Sequence, residues 1–474
     1  MSAMDDKSRV PILKSLEQRE VSLVRALLKE PDLLDARGEV AIRTALSLSR
    51  LYRIKTPDGE VDVEEAVEGL RDETLKLLDV AGLRDKPNGS PSPEKLRPVA
   101  TILREGALRT QELLYERYGA LVPRDLLDRE VRTKSLVVAA GGGGGSGYIY
   151  LGAFKLLEEC GLRPSLIAGT SMGAILGLFR ARKARWETAD ILSVVRSLSW
   201  GKLFRVLSME SRYGLPAALR LYLRASIGKF FDADEDDRFP ISNTTVPLIA
   251  VASGIRAGVL PRPLEYYEGL LSDVRLVNPL TLGRKIPAIA AALIELFQIS
   301  ERFDPVCFGL DEGTREFDAV DAIGFSSALP GVIHYDIVRE DDRMHELLAT
   351  LFAKRDLFRL ADGCLAENVP ARAAWTAVHK GMIGTRNAFV LAMDCFAPKL
   401  STPAWLAMQT IVLNQVQRSA EYAHLYKAFK SPPSPLELTP SVNSVIKILE
   451  RGKEDLASDL PFIQRMMRPL PALE

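Results

Sequence analysis

The spacing of apolar residues changes abruptly near residue 134. Before this point, leucine and valine recur every three or four positions among charges of both signs, a pattern that predicts amphipathic helices. After it, short apolar runs at residues 135–140 and 166–168 predict buried strands, and helical spacing follows at residues 148–160 and 174–181. The order strand, glycine loop, helix, strand, sharp turn, helix is typical of an α/β protein.

Further elements are expected on both sides of this segment. In the N-terminal region, the breakers at Pro31, Pro57 and Pro87 predict helix–helix connections. Later apolar runs predict strands, and later helical spacing predicts helices, at residues 247–251, 388–392, 405–429 and 442–456. The predicted architecture is a three-layer α/β core with helical extensions at both ends: residues 1–133, 134–400 and 401–474.

A strand-to-helix turn around Ser171 carries the first candidate for chemistry. The segment from Gly169 to Gly173 reads Gly-Thr-Ser-Met-Gly, which fits G-x-S-x-G between an apolar strand and an apolar helix. Such a turn holds the serine in a strained backbone conformation. Small residues two positions before and after it avoid a steric clash between the strand and the helix. The serine oxygen is then exposed at a helix N-terminus, where developing negative charge is favoured. Ser171 is therefore the candidate nucleophile.

The glycine run at residues 141–147 has more than one interpretation. Gly142, Gly144 and Gly147 match the spacing of a dinucleotide fingerprint, but the second strand lacks the acidic residue that should end it. An oxyanion hole is the alternative, because consecutive glycines let several N–H groups point into one concavity. A loop that only permits tight packing is a third interpretation. The amides expected to hold an oxyanion are those of Gly142, Gly143, Gly144 and Gly145, with Gly147 supporting the turn.

A serine nucleophile needs a base, and the chain offers two kinds. In hydrolases with the chain order Ser-Asp-His, only His379 or His424 among the four histidines comes late enough, and neither lies in a recognisable motif. The competing candidate is Asp362, because an Asp-Gly pair with Gly363 can reverse the chain and present the carboxylate. An isolated Asp-Gly is ordinarily only a turn, so the residues alone leave the base open.

In their joint order, these motifs resemble the patatin-like phospholipase family over residues 134–400. The family's G-G-G-x-[KR]-G loop is matched at residues 142–147, and its G-x-S-x-G elbow at residues 169–173. Its D-G-[GA] turn and its N-N-x-P segment are similar to Asp362-Gly363 and to residues 368–370. Ser-Ser-Ala-Leu-Pro-Gly, at positions 326 to 331, is similar to the stretch before the family's catalytic aspartate.

The resemblance implies a lipid acyl hydrolase with a Ser171–Asp362 dyad, no histidine and no metal or other cofactor. Hydrolysis would pass through an acyl-enzyme, as in phospholipase A, lysophospholipase or acylglycerol esterase reactions. A free aspartate has a pKa of about 4 and is a weak base, so burial would have to raise its pKa. The implied partner is lipid at a membrane or lipid surface; the sequence shows no protein activator, although one would be compatible.

Two positions depart from the family pattern. Ser146 stands where the family usually has Lys or Arg, and Cys364 stands where it usually has Gly or Ala. The first removes a charge that anionic head groups would meet. An acyltransferase on the same fold and a non-catalytic lipid-binding protein are the alternatives. Carrier transacylases usually have His before the serine, where this chain has Thr170.

Composition excludes several other classes of protein. Lys plus Arg and Asp plus Glu both number 62, so no global charge favours nucleic acid. The four cysteines form no C-x-x-C pair, and no zinc site is expected. Asp232, Asp234 and Asp236 open like a calcium loop, but Asp237 replaces the required glycine. No secretory signal or transmembrane helix is visible, so a cytoplasmic or peripheral membrane location is expected.

Overall fold

The computed structural model describes residues 6–83, 91–206, 211–231, 238–269, 288, 291–337, 339–397 and 403–473. The chain forms two compact units. The N-terminal unit comprises Met1–Leu136, Thr376–Phe389 and Ser458–Glu474. The central unit comprises Val137–Trp375 and Val390–Ala457.

The N-terminal unit is built mainly from helices, as the apolar spacing predicts. The helix that starts at Ala36 is capped by Asp35, whose carboxylate accepts the Gly38 amide at 2.8 Å. Leucine and valine side chains from several helices pack into one buried cluster. The helices of this unit are Asp6–Lys29, Ala36–Ser49, Glu64–Val80, Pro93–Tyr118, Arg124–Arg132 and Leu460–Met467.

Two of the predicted helix–helix connections lie within the described residues, and one of these predictions is wrong. Pro31 opens a short 3₁₀ turn between two helices, as expected. Pro57 instead lies in the turn of a β-hairpin, formed by β1 (Arg53–Thr56) and β2 (Gly59–Asp62). Proline presets one turn dihedral and glycine accepts the positive φ that follows, so the same residues suit a hairpin equally well. Pro87 lies outside the described residues.

Three buried charges in the N-terminal unit lie next to each other. The Glu20 carboxylate lies 2.8 Å from the Lys134 ammonium and 3.1 Å from the Arg43 guanidinium. Burial alone would raise the pKa of Glu20, but these cations lower it to about 2. Burial also lowers the pKa of Lys134 to about 8. The Lys134 ammonium additionally donates to the Asn387 side chain at 2.9 Å.

The central unit is built around a mixed seven-stranded sheet. The sheet joins its strands in the order β10-β7-β4-β3-β11-β12, and β8 also pairs with β7. A separate three-stranded sheet has the order β5-β6-β9. The strands are β3 (Ser135–Ala140), β4 (Pro164–Thr170), β5 (Phe204–Val206), β6 (Ala217–Leu221), β7 (Leu248–Ile255), β8 (Asp304–Phe308), β9 (Gly331–His334), β10 (Arg359–Asp362), β11 (Ala388–Asp394) and β12 (Leu425–Ala428).

The four strands expected from apolar runs are confirmed as β3, β4, β7 and β11, and β7 and β11 are buried at every position. The fold class is therefore α/β, as predicted. The α-helices of this unit with both ends in the described part of the chain are Tyr150–Glu159, Met172–Ala181, Thr188–Ser197, Trp200–Leu203, Leu223–Ile227, Leu264–Gly269, Ala319–Ser326, Asp342–Arg355, Cys364–Glu367, Ala371–His379, Pro403–Ala420 and Val442–Ala457. Of these, Ala371–His379 continues into the N-terminal unit.

One helical prediction fails at its C-terminal end. Helical spacing predicts a helix over residues 405–429, but the helix ends at Ala420 and the chain then forms β12. Leu425 pairs with Leu391 in a parallel register with β11. Pairing with a strand distant in sequence therefore overrides the local pattern. Within the described part of the chain, every helix is too short or too polar to cross a lipid bilayer.

Candidate active site

The turn between β4 and the following helix holds Ser171 in a strained conformation. Its φ is +53° and its ψ is −124°, a region that residues other than glycine rarely adopt. The turn is tight: a Cβ on Gly173 would lie 2.1 Å from the Ala140 carbonyl oxygen, and one on Gly169 would lie 2.5 Å from the Ala174 Cα. Glycine is therefore required at both positions, as the motif predicts.

The register of β7 explains why Asp362 lies beside this turn. On β7, Val251 pairs with Thr170 at the end of β4, and the next residue, Ala252, pairs with Asp362 at the end of β10. Because β8 occupies the opposite edge of β7 over the same residues, β4 and β10 must share one edge. Along that edge of β7, the last residue of β10 is therefore next to the last residue of β4. This brings Asp362 close to Ser171, although 191 positions separate the two residues in sequence.

The Asp362 carboxyl group is buried among neutral donors. The residue is 2% exposed, and its Oδ1 accepts the Cys364 amide at 2.8 Å. Burial raises the pKa of Asp362 to about 6, while hydrogen bonds from the Cys364 amide and the Ser171 and Cys364 side chains oppose this shift. The following residue must be Gly363, because a Cβ there would lie 2.0 Å from the Val251 carbonyl oxygen. This carboxyl can exchange a proton near neutral pH.

Two serines hold the candidate pair in place. The Ser326 hydroxyl accepts the Ser171 amide at 2.9 Å and donates to the Val251 carbonyl at 2.6 Å. The Ser253 hydroxyl donates to the Asp362 carbonyl at 2.7 Å. Ser326 begins the Ser-Ser-Ala-Leu-Pro-Gly segment that is similar to the family, but its link to Ser171 depends on a contact across 155 residues. No motif indicated Ser253.

The glycine loop lies against the elbow, and two of its four candidate amides are already used. The Gly142 amide donates to the Asn368 carbonyl at 3.1 Å, and the Gly145 amide to the Pro435 carbonyl at 2.8 Å. Among the described residues, the amides of Gly143 and Gly144 have no hydrogen-bond acceptor. The geometry therefore favours these two as donors to a developing oxyanion.

The unusual Ser146 is explained by a proline-rich segment at residues 433–438. The Ser146 hydroxyl, which is buried, donates to the Pro433 carbonyl at 2.8 Å. A Cβ on Gly144 would lie 2.5 Å from the Pro435 carbonyl oxygen, and one on Gly147 would lie 2.5 Å from the Met172 Cγ. A long cationic side chain at position 146 would have to displace this segment.

An apolar cavity opens beside Ser171. Its walls come from the helix after the elbow, from the helix Thr188–Ser197 and from the three-stranded sheet. An alkyl chain placed here would meet apolar side chains on these walls. Prominent among the lining residues are Ile175, Phe179, Val195, Phe204, Leu221 and Leu438.

All four histidines have partners other than Ser171. In the N-terminal unit, His379 lies 3.4 Å from the Tyr52 hydroxyl and 3.5 Å from the Glu17 carboxylate. In the central unit, the partners of the other three are the Leu215 carbonyl for His334, the Tyr213 hydroxyl for His345 and the Val390 amide for His424.

No group of three His, Cys, Asp or Glu side chains in the described part of the chain could hold a metal ion. Asp232, Asp234 and Asp236 lie outside it.

The fold and the elbow define an α/β hydrolase-like core. The patatin-like phospholipase family model matches residues 138–375, half of the chain, and the chain belongs to this family. No curated protein sequence matches the chain. Family membership supports lipid acyl hydrolysis as the general activity.

Proposed function

We propose that this protein is a serine lipid acyl hydrolase in which Ser171 attacks a fatty acyl ester and Asp362 accepts the serine proton. One observation carries the proposal: a buried carboxyl with its pKa raised to about 6 lies beside the strained Ser171, whose hydroxyl is among the groups that act on that pKa, next to an apolar cavity. A base with a pKa near the working pH is the most effective proton acceptor. Histidine is not needed in this arrangement.

The proposed cycle has two halves. In the first, the Ser171 oxygen bonds to the ester carbonyl carbon as its proton passes to Asp362, and the tetrahedral intermediate then expels the alcohol, which takes that proton. In the second, Asp362 accepts a proton from water as the water oxygen attacks the acyl-enzyme. Collapse releases the fatty acid, and the proton returns to Ser171.

Charge on the carbonyl oxygen is held by backbone donors in this mechanism. The amides of Gly143 and Gly144 are the available pair, and donors that need no rearrangement stabilise a transition state best. The helix that begins at Met172 adds the positive end of its dipole. Together these groups support formation of an oxyanion beside Ser171.

The substrate is proposed to be lipid taken from a surface. The apolar cavity suits an acyl chain, and two segments that line it also expose large apolar side chains. Trp200 is 47% exposed and packs against the cavity residue Phe204 with the two rings tilted, while Leu436 is 67% exposed, two positions before the cavity residue Leu438. Exposed tryptophan and leucine at a cavity suit peripheral contact with a lipid interface.

Ester hydrolysis by four proteins tests the proposal. The parent, Ser171→Ala, Asp362→Asn and His379→Ala would be assayed for acid release from a soluble medium-chain ester and from phosphatidylcholine vesicles. We expect activity in the parent and in His379→Ala, and loss in the other two. Activity that survives Asp362→Asn but not His379→Ala would contradict the dyad. Acyl transfer to an added alcohol that exceeds hydrolysis would favour an acyltransferase, and vesicle binding without turnover a non-catalytic protein.

A further inference from the structure

Asn368 places an unused hydrogen-bond donor in the site. Its side chain is 2% exposed, and the carboxamide nitrogen has no acceptor among the described residues. Buried donors are almost always paired in native proteins, because an unpaired one loses its bond to water without replacement. Such an unpaired group is accounted for when a reaction intermediate supplies the missing acceptor.

The carboxamide lies close to the nucleophile and to the glycine loop. A Cβ placed on Gly142 would lie 3.0 Å from the Asn368 Oδ1 and 3.1 Å from the Ser171 Cβ. The carboxamide and the Ser171 side chain therefore flank the same glycine. Gly142 in turn precedes Gly143 and Gly144, whose amides are the available backbone donors.

The backbone around Asn368 is fixed to both halves of the site. Its carbonyl accepts the Gly142 amide at 3.1 Å, which ties it to the glycine loop. The neighbouring Glu367 carbonyl accepts the Thr170 hydroxyl at 2.9 Å, which ties the segment to the elbow. The Glu367 carboxyl is held in turn by the Ser419 hydroxyl at 2.8 Å. These contacts fix the backbone that carries the carboxamide, and a donor on a fixed backbone needs little rearrangement when charge appears on the substrate.

We propose that the Asn368 carboxamide donates a hydrogen bond to the oxyanion that forms when Ser171 attacks the ester, alongside the amides of Gly143 and Gly144. The inference rests on the proposed acyl transfer to Ser171 and adds a side-chain donor to it. The carboxamide stays neutral throughout and gives up no proton. Its bond strengthens as the carbonyl oxygen gains charge, so it lowers the barrier more than it tightens substrate binding.

The test compares two buried asparagines that differ in their partners. Asn387, in the N-terminal unit, is 1% exposed, and its carboxamide donates to the Glu130 and Val131 carbonyls at 2.8 and 3.2 Å. Leucine has the same branching as asparagine and no donor, so Asn368→Leu and Asn387→Leu form a matched pair. Each variant would be assayed for kcat and KM on a soluble ester and for its thermal unfolding temperature.

We expect Asn368→Leu to lower kcat about 100-fold with KM nearly unchanged, as for loss of one oxyanion donor. Its unfolding temperature should stay the same or rise, because an unpaired donor is removed. Asn387→Leu should show the reverse, a lower unfolding temperature with kcat nearly unchanged.

Two results would overturn the inference alone: full activity in Asn368→Leu, or a loss of kcat accompanied by the same fall in unfolding temperature as in Asn387→Leu. Parent activity that survives Ser171→Ala would contradict the proposed function, and the inference with it.

Discussion

Two buried carboxyl groups, Glu20 in the N-terminal unit and Asp362 in the central unit, have opposite pKa shifts. Each residue is 2% exposed, and burial by itself raises the pKa of both. Lys134 and Arg43 lie against Glu20 and lower its pKa to about 2. Asp362 forms no ion pair with a described cation, and its pKa is raised to about 6.

The opposite pKa shifts distinguish a carboxylate in a structural ion pair from a carboxyl that can take part in proton transfer. A buried carboxylate with cations around it is locked in its charged form and cannot take a proton near neutral pH. A buried carboxyl that meets only neutral donors can change its charge near neutral pH, as a general base must. Burial alone does not indicate function; the partners decide which kind of group the fold has made.

The largest expected effect comes from Asp362→Asn. This change keeps the shape of the side chain and removes the proposed base, so kcat/KM for a soluble ester should fall about 10³-fold. A carboxyl with a raised pKa stabilises the fold below its unfolded pKa of about 4, and this contribution is lost as the pH rises through about 6.

Thermal unfolding at about pH 8 checks that the stabilising contribution of Asp362 is lost at high pH. Because the asparagine stays neutral, Asp362→Asn should be at least as stable as the parent there. A variant that is both inactive and much less stable would mean that Asp362 is a structural group.

Glu20→Gln should have the opposite effects: lower stability and unchanged activity. It leaves the Lys134 ammonium buried beside Arg43 without its counter-ion, which costs about 3–5 kcal/mol. Chemical denaturation at neutral pH measures this loss, and ester hydrolysis by the folded fraction should be unchanged.

The pH dependence of unfolding provides a further check on Glu20. Because its pKa is lowered, its stabilising contribution is present above the unfolded value of about 4.5 and is lost as the pH falls through about 2. The stability difference between Glu20→Gln and the parent should therefore shrink over that interval. A constant difference would argue against the ion-pair explanation.

Ser146→Lys restores the residue type that the family usually has in the glycine loop and tests whether the site tolerates a cation. Ser146 is 2% exposed and donates to the Pro433 carbonyl, so a lysine would bury an unpaired ammonium or displace residues 433–438. We expect a loss of about 3 kcal/mol in unfolding free energy. Ser146→Ala, which removes only the hydrogen bond, should cost about 1 kcal/mol. Equal losses in the two variants would contradict this explanation.

The smallest expected effect concerns Cys364. Its thiol shares a hydrogen bond with Asp362 and, among the neutral donors there, helps to lower the pKa of that carboxyl. Cys364→Ala restores a residue typical of the family and should move the acidic limb of the pH–rate profile upward by less than about one pH unit. The maximal rate should change little. A downward movement would mean that the thiol does not stabilise the charged form.

The local sequence pattern was sufficient to predict much of the fold but less of the candidate site. Strands β3, β4, β7 and β11 follow from apolar runs, and the elbow follows from Gly169 and Gly173, because strand, turn and helix are encoded within a few adjacent residues. The assignment of Ser171 and Asp362 as a pair came from the family resemblance and stays a prediction.

Long-range contacts account for what the sequence could not provide. The register of β7 brings Asp362 close to Ser171. Ser326 contacts Ser171 through a hydrogen bond between residues 155 positions apart. The use of the Gly142 and Gly145 amides depends on chain segments far along the sequence. The strand β12 needs β11 as its partner. None of these contacts produces a periodic pattern in the local sequence from which it could be predicted.

The role proposed for Asp362 is that of a base whose pKa is raised by burial, with no described cation paired to it. The pH dependence of kcat/KM, followed by acid release from a soluble ester in the parent and in Asp362→Asn, tests it most directly. We predict a single acidic limb in the parent with a midpoint at about 6, and a loss of about 10³-fold in the variant. A midpoint near 4, the ordinary value for aspartate, or comparable activity in Asp362→Asn would contradict the claim.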